Sequence, residues 1–527
     1  MDKKDKKSLK GMISDIIKPN KEDLGEFPLS KNIDENMQEI KNAFNNCCDL
    51  SFREFTINGG KTRCFIAYIE GTVKLDLIND NILKPLMSWQ VKSITESLFN
   101  IDWIIENINK STAPICEVSE VKNISEITDG LLGGCCVLFV DQNAVGLSLN
   151  VEGWEQRKTG EAEVEPVLRG AKESFVESIT LNTALLRKRI KTPNLKLEKM
   201  EIGRISKTSV IIAYISGIAE DGLIKEIRSR LKRIDIDIVM ESGILEHFVS
   251  DSTQTPFPVI EVSERPDLST LALSEGRVVI IVDGTPFVLI APAVFADFFV
   301  SVEDNYTPTY FTVLIILLRY VAFFIALLAP SFFIAVTTYH QEMIPYQLLS
   351  TFISARVDLP FPVFLEALLM EITFELLREA GERMPRAISP SVSIVGTLVL
   401  GQAAIQSGLV SPIMVVIIAI TATASFVNTK LSRSIRALKL PFMILAASLG
   451  LFGIVMGGLV LMILMVSSRS FGVPYMSPFT PSKGEDLKTL VFRFPLWFSN
   501  KRPTSIQKNN IIRANENGEP KTPQSNE

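Results

Sequence analysis

Histidine is almost missing from this chain: 527 residues hold two, His247 and His340, far apart and with no metal-ligand spacing around either. That argues against a metal centre and against histidine chemistry. His247 reads as a surface or packing residue, and His340, with Tyr339, as a headgroup-level residue at the end of an apolar run. Cysteine is present six times, including the pairs Cys47-Cys48 and Cys135-Cys136, but at no zinc or redox spacing. Adjacent cysteines rarely bridge each other, so all six are expected as free thiols. A phosphate loop ending in Gly60-Lys61-Thr62 is excluded because Phe55 stands where its first glycine belongs. The start, Met1-Asp-Lys-Lys-Asp-Lys-Lys7, leads into no apolar core; no cleavable signal peptide is expected, and the N-terminal region is expected to stay in the cytosol. The net charge of −5 makes no case for nucleic acid. No enzyme, cofactor or metal signature is left.

Charge itself is missing over long runs. Hydrophobic residues make up 47% of a chain that is also 21% charged. The two are segregated, because no charged residue falls between Ala387 and Thr429 or between Leu440 and Ser468. Such runs read as bilayer-spanning helices. The spacing places spans at about 311–336, with one charge (Arg319) and an internal Pro330, and at 392–410, 412–428 and 440–466. An amphipathic segment lies at 361–377.

Ahead of the apolar block a pattern occurs twice. Cys64-Phe-Ile-Ala-Tyr-Ile-Glu-Gly71 is echoed by Val210-Ile-Ile-Ala-Tyr-Ile-Ser-Gly217, Glu117-Val-Ser-Glu120 by Glu261-Val-Ser-Glu264, and Cys136-Val-Leu-Phe-Val-Asp141 by Val278-Val-Ile-Ile-Val-Asp283. Three matches in one order argue for a duplicated unit. Each reads as a strand (Phe65 to Ile69 in the first), a helix (Leu83 to Leu98) and a hairpin turning after Asp141 or Asp283. The expected fold is therefore an α/β soluble N-terminal region of two duplicated small α/β domains, followed by an α-helical polytopic membrane domain. The expected divisions are a flexible polar segment (1–50) with a short helix near Ile33 to Phe44, a first α/β domain (51–160) and a linker helix (161–195). A second α/β domain (196–300), a membrane domain (306–470) and a polar tail (471–527) follow.

The segment Pro360 to Pro385 is the unusual one. On a helix, Glu371, Glu375, Arg378, Glu379 and Glu382 share one stripe, and Glu366 stands apart among apolar neighbours. Arg378 with Glu382, and Glu379 with Arg383, are spaced to pair locally. Glu366 and Glu371 have no such partner. Carboxylates near a bilayer centre cost about 2.5–3.5 kcal/mol each, so two arrangements stay open: a helix lying on the membrane with its acidic face in water, or a stripe facing a hydrated path or a subunit contact. In the second, Glu366, Glu371, Glu375, Arg378 and Glu379 are candidate ion-path or coupling residues. Val392, Gly396, Val399, Gly401, Gln402, Ala403 and Gln406, in the small-residue span that follows, are candidate pore or helix-packing residues. If the acidic helix crosses, the basic loops Arg378 to Arg386 and Lys430 to Lys439 share the cytosolic side and the tail after Arg469 lies outside. If it does not cross, the tail is cytosolic and the second loop is stranded. The positive-inside bias favours five crossings.

The sequences Pro360-Phe-Pro362, Glu371-Ile-Thr-Phe-Glu-Leu-Leu-Arg-Glu-Ala-Gly381, Met384-Pro385, Ser393-Ile-Val-Gly396, Gly401-Gln-Ala-Ala404 and Arg469-Ser-Phe-Gly-Val-Pro-Tyr475 closely resemble the GerA-type spore germination receptor A-subunits, over roughly residues 60 to 480. The resemblance implies a multi-pass protein of the inner membrane of a bacterial endospore that works with a transporter-like B-subunit and a lipoprotein C-subunit to sense nutrients. It also implies a homo-oligomeric, nutrient-gated cation channel, with nutrient binding ascribed to the B-subunit. The paralogous stage V sporulation membrane proteins share the helix motif. Alternatives from other classes are a secondary transporter and a membrane-anchored scaffold without a pore.

Overall fold

The computed structural model describes residues 28–57, 62–88, 118–153, 165, 167, 169–251, 255–357, 359–384, 399–481, 486–487, 501–506 and 510–513. The expectations for residues 1–27 and for the latter part of the Leu83 to Leu98 helix lie outside them. The chain divides into two compact units, one of Met1–Ser250, Ile260–Pro292 and Leu496–Glu527, the other of Asp251–Val259 and Ala293–Pro495.

In the first unit one topology is used twice. Strands β1 (Leu50–Ile57), β2 (Thr62–Ile69), β3 (Val118–Val121), β4 (Cys135–Val140) and β5 (Gly146–Asn150) form an antiparallel sheet ordered β1-β2-β4-β5-β3. Strands β6 (Leu195–Ile202), β7 (Thr208–Ile215), β8 (Glu261–Ser263), β9 (Val278–Val282) and β10 (Val288–Ala291) repeat it as β6-β7-β9-β10-β8. The register repeats too, with Ala67 opposite Val137 in the first sheet and Ala213 opposite Val279 in the second. Both sheet faces are covered, and the strands sort their side chains accordingly. Cys64, Ile66, Cys136 and Leu138 pack against Ile78, Ile82 and Leu86 of the helical segment 75–88. Phe65, Ala67, Val137 and Phe139 face helices α1 (Ile33–Ala43) and α3 (Ile124–Leu132); the 75–88 segment is α2.

The expected linker helix, 161–195, is corrected. Among the described residues only Ile179–Arg189 (α4) is helical there, and it is the counterpart of α1. One detail identifies it. Asn36 accepts from the Ser30 N–H (2.9 Å) and donates to the Ser30 carbonyl (2.7 Å). Asn182 does the same to Val176, at 2.8 and 2.6 Å. An amide that satisfies both groups of one residue six positions upstream turns the chain sharply into the helix, and 174–178 is not helical. Each repeat thus begins with its helix, and the helix near Ile33 belongs to the first repeat. The second repeat adds α5 (Asp221–Lys232), α6 (Ser242–Val249), which carries an exposed His247, and α7 (Pro266–Ser274). The repeats join through backbone: Cys48 N–H donates to Leu197 (3.0 Å), and Leu197 N–H to Asn46 (2.9 Å).

The second unit is helical. Helix α8 (Thr309–Tyr339) is long and apolar enough to cross a membrane, and passes through Pro330 without ending. Its one charge, Arg319, donates to Asp304 (2.5 and 3.2 Å) and to the Phe299 carbonyl (2.9 Å). Helix α9 (Tyr346–Ser354) follows, then α10 (Val363–Arg383), residues 399–406, α11 (Pro412–Val427) and α12 (Ser432–Ser467). Late residues of α8 (Phe333, Ile334, Ala335) pack with early residues of α10 (Val363, Ala367) and α11 (Met414, Ile418). At the other end, Asn428, just after α11, donates to the Arg319 carbonyl (2.9 Å). Helices α10 and α11 therefore run back against α8.

The last span expected, 440–466, is corrected as well. Helix α12 reverses at Gly450, whose φ of 63° and ψ of −144° belong to a region that only glycine occupies readily. A Cβ at Gly457 would stand 3.1 Å from Phe442 Cε1, and one at Gly453 would collide with the Leu445 carbonyl. In a straight helix residues 442 and 457 are about 22 Å apart. The two legs, 432–449 and 451–467, lie side by side. Tyr339 closes the break, with its hydroxyl 2.8 Å from the Ala447 and 3.1 Å from the Ser448 carbonyl, two groups the lost helical bonds leave free. After the second leg, strands β11 (Arg469–Ser470) and β12 (Val473–Pro474) return the chain to the start of α8. Ser470 Oγ donates to the Val259 carbonyl (2.6 Å), Phe471 N–H donates to Asp251, and Tyr475 packs on Phe257 and Phe295. Phe323 of α8 packs on the same Phe257 and Phe295. The tail after Arg469 therefore lies at the end where α8 begins. The expected straight run through 440–466 would put the tail at the opposite end; the reversal at Gly450 brings it back.

Candidate functional site

The acidic stripe is built on α10, a 21-residue helix entered through Pro362. The two local pairs expected of it form: Arg378 Nε donates to Glu382 (3.2 Å), and Arg383 to Glu379 (2.6 Å). Both are exposed on at least one side and contribute little. The other carboxylates find partners far away in sequence.

Glu366 is 1% exposed, and its Oε1 accepts from both the backbone N–H (2.6 Å) and the hydroxyl (2.5 Å) of Ser411. Ser411 is the N-cap of α11, its hydroxyl accepting from Met414 N–H at 3.2 Å, with Pro412 opening the helix behind it. Glu366 thus completes a helix cap rather than facing open water.

Glu371, Glu375 and Arg378 face the first leg of α12. Lys439 Nζ donates to Glu371 Oε1 at 2.7 Å, with side-chain exposures of 4% and 11%. Arg436 stands 3.6 Å from Glu375, and Arg378 donates to Ser432 Oγ at 2.6 Å. The guanidinium of Arg378 also lies 5.4 Å from the centre of the Phe426 ring. These contacts step forward along α10 (371, 375, 378) and backward along α12 (439, 436, 432), as antiparallel helices require. Beside them opens a cavity of about 680 Å³, lined by the acidic Glu371, Glu375 and Glu379, the basic Arg433, Arg436 and Lys439, and apolar residues such as Ile372 and Leu440.

Lys439, Arg436, Ser432, Ser411 and Tyr339 are not among the residues singled out as candidates from sequence. A signal for the first two was present: Lys430, Arg433, Arg436 and Lys439 recur every three residues at the start of an apolar helix. Of the candidate pore or packing residues, Val392 and Gly396 lie outside the described residues. Gly401 is buried, a Cβ there meeting Val415 at 3.7 Å, so the helical residues 399–406 approach α11 closely. Val399, Gln402, Ala403 and Gln406 are exposed in the single chain. Gly408, with φ of 64°, makes the turn into α11.

Tandem α/β repeats followed by an apolar helical bundle with an acidic helix define a two-part protein, and among the described residues the helices long and apolar enough to cross a membrane lie in the second part. The chain belongs to the GerA family: the family model described as Bacillus/Clostridium GerA spore germination protein matches residues 38–505. It is 40% identical to spore germination protein KA of Bacillus subtilis (strain 168), over 93% of this chain and 90% of that one. It is 39% identical to the uncharacterized membrane protein YfkQ of the same organism, over 96% and 97%. Among solved structures it matches the N-terminal domain of the A subunit of the Bacillus megaterium spore germinant receptor GerK3, at 40% identity and a TM-score of 0.40, over 51% of this chain and 97% of that one.

Proposed function

We propose that this chain is the A-subunit of a nutrient germinant receptor in the inner membrane of the endospore. In this reading several copies, joined by a transporter-like B-subunit and a lipoprotein C-subunit, surround a nutrient-gated cation path. The observation that carries it is the stripe of Glu371, Glu375 and Glu379 along a cavity whose other charged residues are Arg433, Arg436 and Lys439 and whose remaining lining is apolar, inside a bundle whose outer face is apolar. Carboxylates favour cations over anions along a hydrated path once their basic partners are withdrawn, so this reading requires the contacts to Lys439 and Arg436 to open. Leu317, Phe324, Phe452 and Ile463 are each more than half exposed on the single chain, which suits lipid or neighbouring copies. Helices α8, α10, α11 and the two legs of α12, with the small-residue span before α11, make six crossings. That topology puts both basic segments and the tail on the side from which α8 enters, which satisfies the positive-inside bias without a stranded loop.

Deleting the gene and following cation release from spores given nutrients tests this reading. Loss of nutrient-triggered release, restored by the wild-type gene, is the expected result; unchanged release with every nutrient used in the screen refutes it. One observation favours a secondary transporter instead: broken helices, as at Gly450, are common in transporters. Substrate accumulation by vesicles containing this chain alone would establish that alternative.

A further inference from the structure

We propose that the Glu371–Lys439 pair is a latch: it holds α10 against the first leg of α12 in the conformation seen here, and its separation accompanies opening. The proposal rests on the reading of this region as an ion path and names the contact that keeps the path shut.

Four features of the pair point this way. It is the only one of the three inter-helix contacts in which both partners are buried charges, since Glu375 and Arg436 are 33% and 27% exposed and Arg378 reaches a neutral serine. It is also incompletely satisfied: Glu371 Oε2 is buried with no hydrogen-bond partner among the described residues. A buried ion pair offsets its desolvation only when the remaining lone pairs and protons are bonded, so a pair left half-bonded is a costly choice for a purely structural contact.

The pair also sits at a boundary. Met443 and Ala446, one and two turns further along α12, belong to the apolar core with Ile334 and Ala367, whereas Glu371 and Lys439 line the open cavity. Separation in that direction moves both charges toward water instead of into hydrocarbon. Finally, Pro441 lies two residues beyond Lys439 inside the helix. It has no N–H for the carbonyl at 437, so the leg carrying Lys439 bends more easily there than elsewhere.

While Lys439 is paired with Glu371, the innermost carboxylate of the stripe shows no net charge to a passing ion. Once Lys439 leaves, Glu371 faces the cavity without a partner, while Arg436 still stands 3.6 Å from Glu375 and Arg383 still donates to Glu379. Lys439 is therefore a positioning residue for both closure and cation preference.

The test uses spores carrying the complete receptor, with the A-subunit as wild type, E371Q, K439M, the exchange E371K/K439E, or E371C/K439C. The trigger is a serial dilution of the common amino acids with glucose, and the readout is cation release. Immunoblots of spore membranes confirm that each variant is present. A latch predicts that the two single variants release cations at about tenfold lower nutrient, a usual size for such coupling, or with none. The exchange variant returns the threshold toward wild type. The double-cysteine variant, bridged by a short reducible thiol cross-linker, releases nothing until the bridge is reduced. An exchange variant no closer to wild type than the singles overturns the latch, as does normal release from bridged spores. The wild-type complex is recorded in planar bilayers in parallel. No conductance there refutes the ion-path reading; conductance with unchanged thresholds in every variant refutes the latch alone.

Discussion

Arg187 and Asp49 form a two-pronged ion pair, at 2.7 and 3.1 Å, with side chains only 1% and 4% exposed, and so tie the first helix of the second repeat to the segment that leads into β1. Thr192 adds a third acceptor through its carbonyl, 3.0 Å from Nη1. Replacing Asp49 with Asn leaves the guanidinium buried beside a neutral group. The expected cost is about 3–5 kcal/mol, the usual result of breaking a buried pair from one side. Denaturant unfolding of the full chain in detergent measures it, and a loss below about 1 kcal/mol, as for exposed pairs, would show that the repeats are joined mainly by backbone.

The reversal at Gly450 predicts a labelling pattern. Cysteines placed at Tyr310, before the body of α8, and at Arg469, after α12, should react with an impermeant reagent from the same face of sealed vesicles. One at Tyr346 should react from the other face. Tyr310 and Tyr346 are 81% and 86% exposed, so access within the chain does not limit the result. Labelling of Arg469→Cys together with Tyr346→Cys would mean that the helix runs straight through.

Substitution of Gly450 itself should be costly. Its backbone conformation costs any other residue about 1–3 kcal/mol, and a Cβ would also press on His340 Cε1 at 3.0 Å. Gly450→Val is expected to lower the melting temperature of the purified protein far more than Gly458→Val, a position with open space around it.

Glu366 should behave as a cap. Glu366→Ala strands the Ser411 amide in a fully buried position, at about 1–3 kcal/mol. Glu366→Gln keeps an acceptor oxygen and should lose less than half of that. Equal losses from the two variants in thermal unfolding would show that charge, not hydrogen bonding, matters at this position.

Acid stability has a local contributor in the first unit. Glu173 accepts from Lys188 (2.7 Å) and Arg189 (2.9 Å), and the Lys188 bond, more than any other influence, holds its carboxyl below the usual value. A carboxylate lowered on folding adds stability that is complete above the unfolded value, about 4.3, and is lost as pH falls through the folded one. Glu173→Gln should therefore narrow the gap in unfolding midpoint between neutral and acidic pH. An unchanged gap would remove Glu173 from the acid response.

Much of the first unit was legible because its signals are local. The strands Cys-Phe-Ile-Ala-Tyr-Ile69 and Val-Ile-Ile-Ala-Tyr-Ile215 alternate faces alike, and the copied stretch reproduces the same pairings, as Ala67 with Val137 and Ala213 with Val279 show. The kinship of the helix at Ile179 to the helix at Ile33 is not legible in the sequence, because it lies in one asparagine's hydrogen bonds rather than in a repeated string.

Sequence alone determined the segregation of charge from apolar surface, the duplication and the acidic face of α10, because each depends on residue type and spacing along a few turns or strands. The tertiary structure decided what that face meets and where the chain goes next. Glu371 finds Lys439 across 68 positions, a contact no helical period encodes. The reversal of α12 depends on a positive φ at one glycine within a run of uniformly apolar residues, and hydropathy, which counts what residues are and not how their backbone turns, gives no sign of it.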